Sequence, residues 1–244
     1  MNARGYMSAL FTDFYELTMA QGYRKHNMNY PAVFDMFFRR QPFGGGFSVF
    51  AGIETLIDEL TSFSFSEADI AYLDSTGVFE KDFLDYLKTF RFSGDLYAMK
   101  EGSLVFPGEP LVRIHANLID AQIIEGLILN TINFQSLIAT KSARVWLASK
   151  KGSVMEFGLR RAQGCDGAMS ASRAAYIGGA SSTSNTLAGM RFGIPVSGTM
   201  AHSWIMSFPS ELEAFEAYAE LYPETSVFLL DTYDTLKSGI HNAI

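Results

Sequence analysis

The stretch Gly198-Thr199-Met200-Ala201-His202-Ser203-Trp204 follows the apolar run Ile194-Pro195-Val196, which puts an imidazole where a buried strand opens into a loop. An imidazole in such a loop can serve as a base or as a nucleophile. On its own, this histidine reads more readily as a satisfied structural residue. Three further segments shift the balance: Phe157-Gly158-Leu159-Arg160-Arg161, Gly178 to Asn185, and Leu230-Asp231-Thr232-Tyr233-Asp234. Each is an apolar or small-residue run that ends in polar chemistry. Lined up on one rim, they offer an aromatic face with a cation (Phe157, Arg160), hydroxyl and amide groups (Ser181 to Asn185), Thr199 with His202, and the carboxylates of Asp231 and Asp234. That set suits an aromatic anion together with a phosphorylated sugar whose magnesium is held by carboxylates. Singly, each has a plainer reading as packing or capping, and Ser181 to Asn185 reads equally well as a turn.

The elements that must position this rim follow Gly152. Strand patterns over 154–157, 180–182, 196–199 and 227–230 alternate with helical patterns over 168–176, 186–192 and 211–221. Alternation at this spacing predicts a parallel sheet with crossover helices, whose strand ends gather the chemistry on one side. Four such strands make about half of a barrel. The expectation is therefore an α/β fold with an incomplete barrel, belonging to a truncated chain or to one that a partner completes.

Upstream, residues 9–26 read as a helix capped by Thr12 or Asp13, with Phe14, Leu17 and Gly22 on one face and Tyr15 in the first turn. Residues 32–40 read as a strand and 41–47 as a loop, followed by helical patterns over 52–63 and 66–90. Asp69, Asp74, Glu80, Asp82 and Asp85 fall on a solvated face of the latter. Residues 92–114, punctuated by Gly94, Gly102, Pro107, Gly108 and Pro110, form a small β module. Residues 118–150 read as a long helical stretch with Leu118, Ile119, Ile123, Leu127, Leu129 and Ile132 buried. The organisation expected is 1–116 as an N-terminal module, 117–150 as connecting helices, and 151–244 as the first half of the barrel, carrying the active-site residues.

With 244 residues and 48% hydrophobic content, the chain can bury a substantial core. A net charge of −7 argues against a broad nucleic-acid surface, because phosphate-backbone binding requires clustered Lys and Arg. An anionic ligand must instead meet a local site, for which Lys141, Arg144, Arg160 and Arg161 are candidates; the first two read equally as a solvated helix face. No apolar run approaches the roughly 20 residues that cross a bilayer. Met1-Asn2-Ala3-Arg4-Gly5 lacks the apolar core of a secretory signal, so a cytoplasmic location without membrane contact is expected. The single cysteine, Cys165, excludes an internal disulfide and reads as an ordinary small residue. Ala98-Met99-Lys100-Glu101 has some likeness to a biotin-carrying hairpin, but Gly102 and Gly108 follow too soon for the strand that would separate them from the lysine.

Several segments together resemble a known family, the ATP-using nicotinate phosphoribosyltransferases. They are Leu10 to Met19, Phe37-Phe38-Arg39 with Pro42 to Gly46, Glu101-Gly102 through Pro110, Glu156 to Gln163, Gly178-Gly179, Leu187-Ala188-Gly189, Gly198 to Ser203, and Asp231 to Gly239. The resemblance implies a β-rich N-terminal module packed on a parallel α/β barrel of the type II phosphoribosyltransferase kind. It implies condensation of nicotinate with phosphoribosyl pyrophosphate, giving nicotinate mononucleotide and pyrophosphate in NAD biosynthesis. ATP acts as cosubstrate through a phosphohistidine at His202, and Mg2+ is the implied metal. By the same likeness Tyr15, Thr199, Phe157 and Arg160 meet the nicotinate ring, with the tyrosine supplied across a homodimer. Asp13, Asn185 and Asp231 lie toward the pyridine, ribose-phosphate or magnesium region. Nicotinamide-using relatives carry an aspartate at the position of Asn185, so asparagine there implies nicotinate. Family members continue beyond the length of this sequence, through an Asp-Ser-Gly loop and glycine-rich phosphate loops. The competing expectation is accordingly a non-catalytic fragment or one subunit of a split enzyme.

Overall fold

The computed structural model describes residues 8–244, and the Met1 to Gly5 stretch considered above lies outside them. Helix α1 (Phe14–Lys25) starts later than its apolar pattern suggests, because the Glu16 carboxylate reaches back to the Asp13 N–H at 3.1 Å. Capping chemistry, not hydrophobicity, sets that boundary. Strands β1 (Pro31–Met36) and β2 (Ser48–Val49) follow, then α2 (Ile53–Ser62), α3 (Glu67–Ser75) and α4 (Lys81–Thr89). The 66–90 pattern is thus two helices. The β module comprises β3 (Gly94–Ala98), β4 (Leu104–Val105) and β5 (Val112–Asn117). The β5 strand lies between β1 and β3, antiparallel to both, and β2 pairs separately with β4. A continuous buried cluster, including Leu17, Phe50, Leu56, Phe83, Leu87, Ile114, Ile123 and Ile132, joins this module to the helices that follow.

The stretch 118–150 divides at Ile124 into α5 (Leu118–Ile123) and α6 (Glu125–Ala148). Ile119, Ile123, Leu127 and Ile132 are buried as expected, whereas Leu118 is half-buried and Leu129 is exposed. Further along α6 the buried face turns from aliphatic to hydroxyl. Thr140 Oγ1 accepts from the Val49 N–H at 2.8 Å, and Ser136 Oγ accepts from the Ala51 N–H at 3.0 Å. Residues four apart on a helix share a face, so two hydroxyls of α6 take the place of a neighbouring strand along β2.

Beyond residue 150 come β6 (Met155–Glu156), α7 (Gly164–Ile177), β7 (Ser182–Thr183), α8 (Thr186–Phe192), α9 (His202–Met206), α10 (Glu211–Leu221) and, after a π turn over Thr235–Gly239, α11 (Ile240–Ala243). The fold is mixed α/β. β6 and β7 run parallel, and a parallel bridge joins Thr183 to Val196. Of the expected strands, 196–199 is therefore reduced to that bridge. The 227–230 segment joins no ladder among the described residues, because its side chains are held elsewhere: Phe228 stacks on Phe215 at 4.9 Å, in a cluster with Leu229, Leu230, Met200 and Ile205. No helix among the described residues is long and apolar enough to cross a membrane.

A buried ion pair ties the two parts of the chain together. Arg173 on α7 grips Glu101 with both arms of its guanidinium, at 3.0 and 2.7 Å, and also reaches Gln135 of α6 at 3.3 Å and Glu54 of α2 at 2.5 Å. Glu101 accepts in addition from the N–H of Gly52 at 2.6 Å. Gly52 holds φ +111° there, and a Cβ would press on the Thr131 carbonyl at 3.1 Å. Burial pushes the Glu101 carboxyl up, but hydrogen bonds from Arg173 and Gly52 outweigh it and leave the group below its ordinary value of 4.5. A carboxyl that titrates lower when folded contributes fully above that ordinary value and is lost as pH falls through the folded one. Arg173→Met, which strands a buried carboxylate, is expected to lower stability by about 3–5 kcal/mol. Adding Glu101→Gln should recover part of the loss, and Glu101→Gln alone should flatten the acid limb in urea unfolding between about pH 3 and pH 7.

Candidate active site

Three extended segments run side by side and open on one edge. The Ser181 N–H donates to Val154 O at 2.8 Å, and the Ser184 N–H to Glu156 O at 2.9 Å. The Thr183 N–H donates to Pro195 O, and the Ser197 N–H to Thr183 O, both at 3.0 Å. Parallel neighbours leave the sheet on the same side. The structure thus brings together the loops carrying Phe157 and Arg160, Ser184 and Asn185, and Thr199 and His202. Phe157 is half-buried, while Arg160, Thr199 and His202 are exposed. His202 is the first residue of α9, and its Nε2 lies 3.2 Å from Asp231 Oδ1. Asp231 therefore joins the group from beyond α10, although no strand delivers it. Asp234 belongs elsewhere: it caps the turn after it, accepting from the N–H groups of Leu236 and Lys237 at 3.1 and 2.9 Å. Those backbone bonds, chiefly that of Lys237, hold its carboxyl below the usual range.

Asn185 sits on the rim in sequence but is only 2% exposed. Its Oδ1 accepts from the Ala188 N–H at 3.2 Å, capping α8, and its Nδ2 donates to Ser172 Oγ at 3.2 Å. Both ends of the amide are engaged within the chain. Tyr15 and Asp13 form a second group at the start of α1. Glu16 beneath them is fully buried, accepts from the Thr12 hydroxyl and the Asp13 N–H, and keeps Oε1 without a partner. Burial raises its carboxyl. The Glu125 carboxylate, then burial, then Glu16 and Asp13 push the Tyr15 phenol up, so the exposed ring carries a neutral hydroxyl. Asp13 borders an open cavity of about 400 Å³ with Phe37, Phe38 and Asn130. Among the described residues no hydrogen bond, ion pair or ring contact links the Tyr15 group with the His202 group.

Two of the four candidate cations are resolved by their contacts or exposure. Arg144 donates to Phe43 O at 2.9 Å and lies over that ring, so it secures a loop; Lys141 is solvated. Cys165 is exposed at the start of α7. Glu156 heads one of the segments that carry the resemblance, but sequence reading gave it no role. Its Oε2 accepts from the hydroxyls of Thr183 and Ser172 at 2.7 and 2.9 Å, and its Oε1 from the Gly158 N–H. The signal available was a carboxylate next to the aromatic of a strand end, but its partners stand 16 and 27 residues away.

Comparison with known proteins shows the family to which the chain is similar. Residues 10–133 match the nicotinate phosphoribosyltransferase (NAPRTase) N-terminal domain. The chain is 46% identical over 241 residues to a nicotinate phosphoribosyltransferase of Mycobacterium tuberculosis, covering 99% of this chain and 52% of the relative. It is 48% identical over 237 residues to the nicotinate phosphoribosyltransferase of Bacillus subtilis, covering 97% and 48%. The chain thus spans about half the length of the curated relatives it matches. The crystal structure of human nicotinic acid phosphoribosyltransferase superposes with a TM-score of 0.84 at 36% identity, covering 95% of this chain and 56% of that one. That of nicotinate-nucleotide pyrophosphorylase from Pyrococcus furiosus gives 0.76 at 25% identity, covering 92% and 51%.

Burial separates framework from chemistry on the rim. Asn185→Ala, which removes a cap and a buried amide, is expected to lower stability by about 1–2 kcal/mol. His202→Ala, at an exposed position, should leave the urea midpoint unchanged.

Proposed function

This chain belongs to the nicotinate phosphoribosyltransferase family, and from that membership we propose that it forms nicotinate mononucleotide and pyrophosphate from nicotinate and phosphoribosyl pyrophosphate, with ATP hydrolysed through a phosphohistidine. The observation that carries the reading is the convergence of Phe157, Arg160, Thr199 and the His202–Asp231 pair on one edge of the parallel segments. We further read 1–116 as the N-terminal module, 117–150 as connecting helices and 151–244 as the first half of a type II phosphoribosyltransferase barrel, in a cytoplasmic enzyme.

In this mechanism Phe157 stacks on the pyridine ring and Arg160 meets the carboxylate of nicotinate, for which a planar guanidinium fork is suited. Thr199 supplies a hydroxyl beside them. The pyridine nitrogen attacks the anomeric carbon as the bond to pyrophosphate breaks, so the protein's task is alignment and stabilisation of the charge that develops. The Asp231 carboxylate, 3.2 Å from Nε2 of His202, favours the proton on that nitrogen and leaves the Nδ1 lone pair as the nucleophile. Nδ1 attacks the γ-phosphorus of ATP and ADP leaves; water later cleaves the P–N bond, returning the imidazole and releasing phosphate. The exposed Asp231 carboxylate would hold Mg2+, a hard cation that would neutralise phosphate charge. Asp234, occupied by its own backbone turn, would not hold it. Among the described residues the Tyr15 and Asp13 group has no hydrogen bond, ion pair or ring contact with the rim, which supports delivery to a neighbouring rim in a homodimer.

Incubation with γ-labelled ATP should give an acid-labile, base-stable label on the protein, absent in His202→Ala, while nucleotide formation without ATP persists in that variant. Unchanged labelling would remove His202 from the reaction. Tyr15→Ala should raise KM for nicotinate about tenfold with little change in Tm, as befits a half-exposed ring.

A further inference from the structure

We propose that Glu156 is a positioning residue for the nicotinate pocket, aiming the Phe157 to Arg161 loop through the Gly158 N–H and fixing the amide of Asn185 through Ser172 and Thr183. The inference rests on the function read above and adds a residue to it. An ionised carboxylate only accepts hydrogen bonds, so its partners must all donate toward it. Thr183 therefore points its hydroxyl proton at Oε2, at 2.7 Å, while Ser172 divides its proton between Oε2 at 2.9 Å and the Ala168 carbonyl at 3.0 Å. Their lone pairs are left facing outward. Thr183 Oγ1 uses one to accept the Asn185 N–H at 3.0 Å, and Ser172 Oγ uses one to accept Asn185 Nδ2 at 3.2 Å. The carboxylate and the Ala168 carbonyl thus leave Ser172 and Thr183 as acceptors for Asn185, in agreement with an amide whose Oδ1 is turned to the Ala188 N–H at 3.2 Å.

The other oxygen acts on the loop. Oε1 accepts from Gly158 N–H, one residue past Phe157 and two before Arg160. Gly158 has ordinary backbone angles, φ −82° and ψ −10°, so left-handed geometry does not call for glycine here. Space does: a Cβ at this position would stand 2.7 Å from Glu156 Oε1. The glycine lets the carboxylate fold over its N–H.

The test measures the whole chain with ¹⁵N–¹H spectra, amide hydrogen exchange and titration with nicotinate and, separately, with phosphoribosyl pyrophosphate. Glu156→Gln keeps the volume but turns one acceptor into a donor. Gly158→Ala keeps the charge and displaces the carboxylate from an exposed site, which guards against a variant that does not fold. In both, the amides of residue 158 and Asn185 are expected to exchange about tenfold faster, and nicotinate to bind about tenfold more weakly, with affinity for phosphoribosyl pyrophosphate unchanged. Amides and nicotinate affinity that stay at their original values in either folded variant overturn the proposal. So does an equal loss for both ligands, which marks general loosening. An unsubstituted chain that takes up no nicotinate overturns the function read above instead, and the two amides then decide the role of Glu156.

Discussion

The arrangement of the molecule depends on one buried charge pair. Arg173 is 9% exposed and stands in a stretch of α7 rich in serine and alanine, and the carboxylate it grips belongs to a turn 72 positions earlier. Each charge is costly to bury alone, and each becomes tolerable only with the other in place. The pair is therefore satisfied in one arrangement, with α7 against α6 and the Glu101 turn against the start of α2. The Gly52 N–H and the Gln135 side chain complete it and add α2 and α6 to the same junction. Apolar packing could accept a small sliding of these parts; a two-armed guanidinium clamp does not.

Around that junction α6 works as a spine with two kinds of surface. Its first half presents Leu127, Ile128 and Ile132 to the N-terminal core. Its second half presents Ser136 and Thr140 to the backbone of β2 and the residues just after it. A strand of two residues has few ladder bonds of its own, and the helix hydroxyls supply what its neighbour β4 does not. The rim after residue 150 repeats the device with a carboxylate: Glu156 collects the hydroxyls of two other elements and the start of its own loop. In both places polar side chains do the work of a longer strand.

This division explains what could be read from the sequence. Helices α8 and α10 match the expected 186–192 and 211–221 to the residue, because their caps, Asn185 and Ser210, are encoded next to them. The helix read over 9–26 starts at Phe14, behind Asp13, one of the two caps expected for it, since Asp13 and Glu16 decide the start whatever precedes them. Strands fared worse, because an extended run becomes a strand only through a partner that its own residues do not specify. Residues 227–230 are apolar enough, yet Phe228 found Phe215. His202 and Asp231 were legible as polar groups at the ends of apolar runs, and the structure puts them in contact. Arg173 and Glu156 were not legible, because their meaning lies in residues far along the chain. A lone arginine within Ser172-Arg173-Ala174-Ala175 was the clue to the first.

Where α7 ends, Gly178 lies so near the Ala139 carbonyl that a Cβ there would collide with it, and Ser142 Oγ donates to Ala175 O at 2.8 Å beside this contact. Main chain meets main chain, without an intervening layer of side chains. Side chains can change rotamer and absorb strain, whereas two touching backbones cannot. The seam is mechanically stiff. The α7 backbone thus rests directly on α6, whose first turn in turn lies against Thr12 and Glu16 at Gly126. Glycine at these two places is what lets α6 carry both the α7 end and the start of α1 at backbone distance.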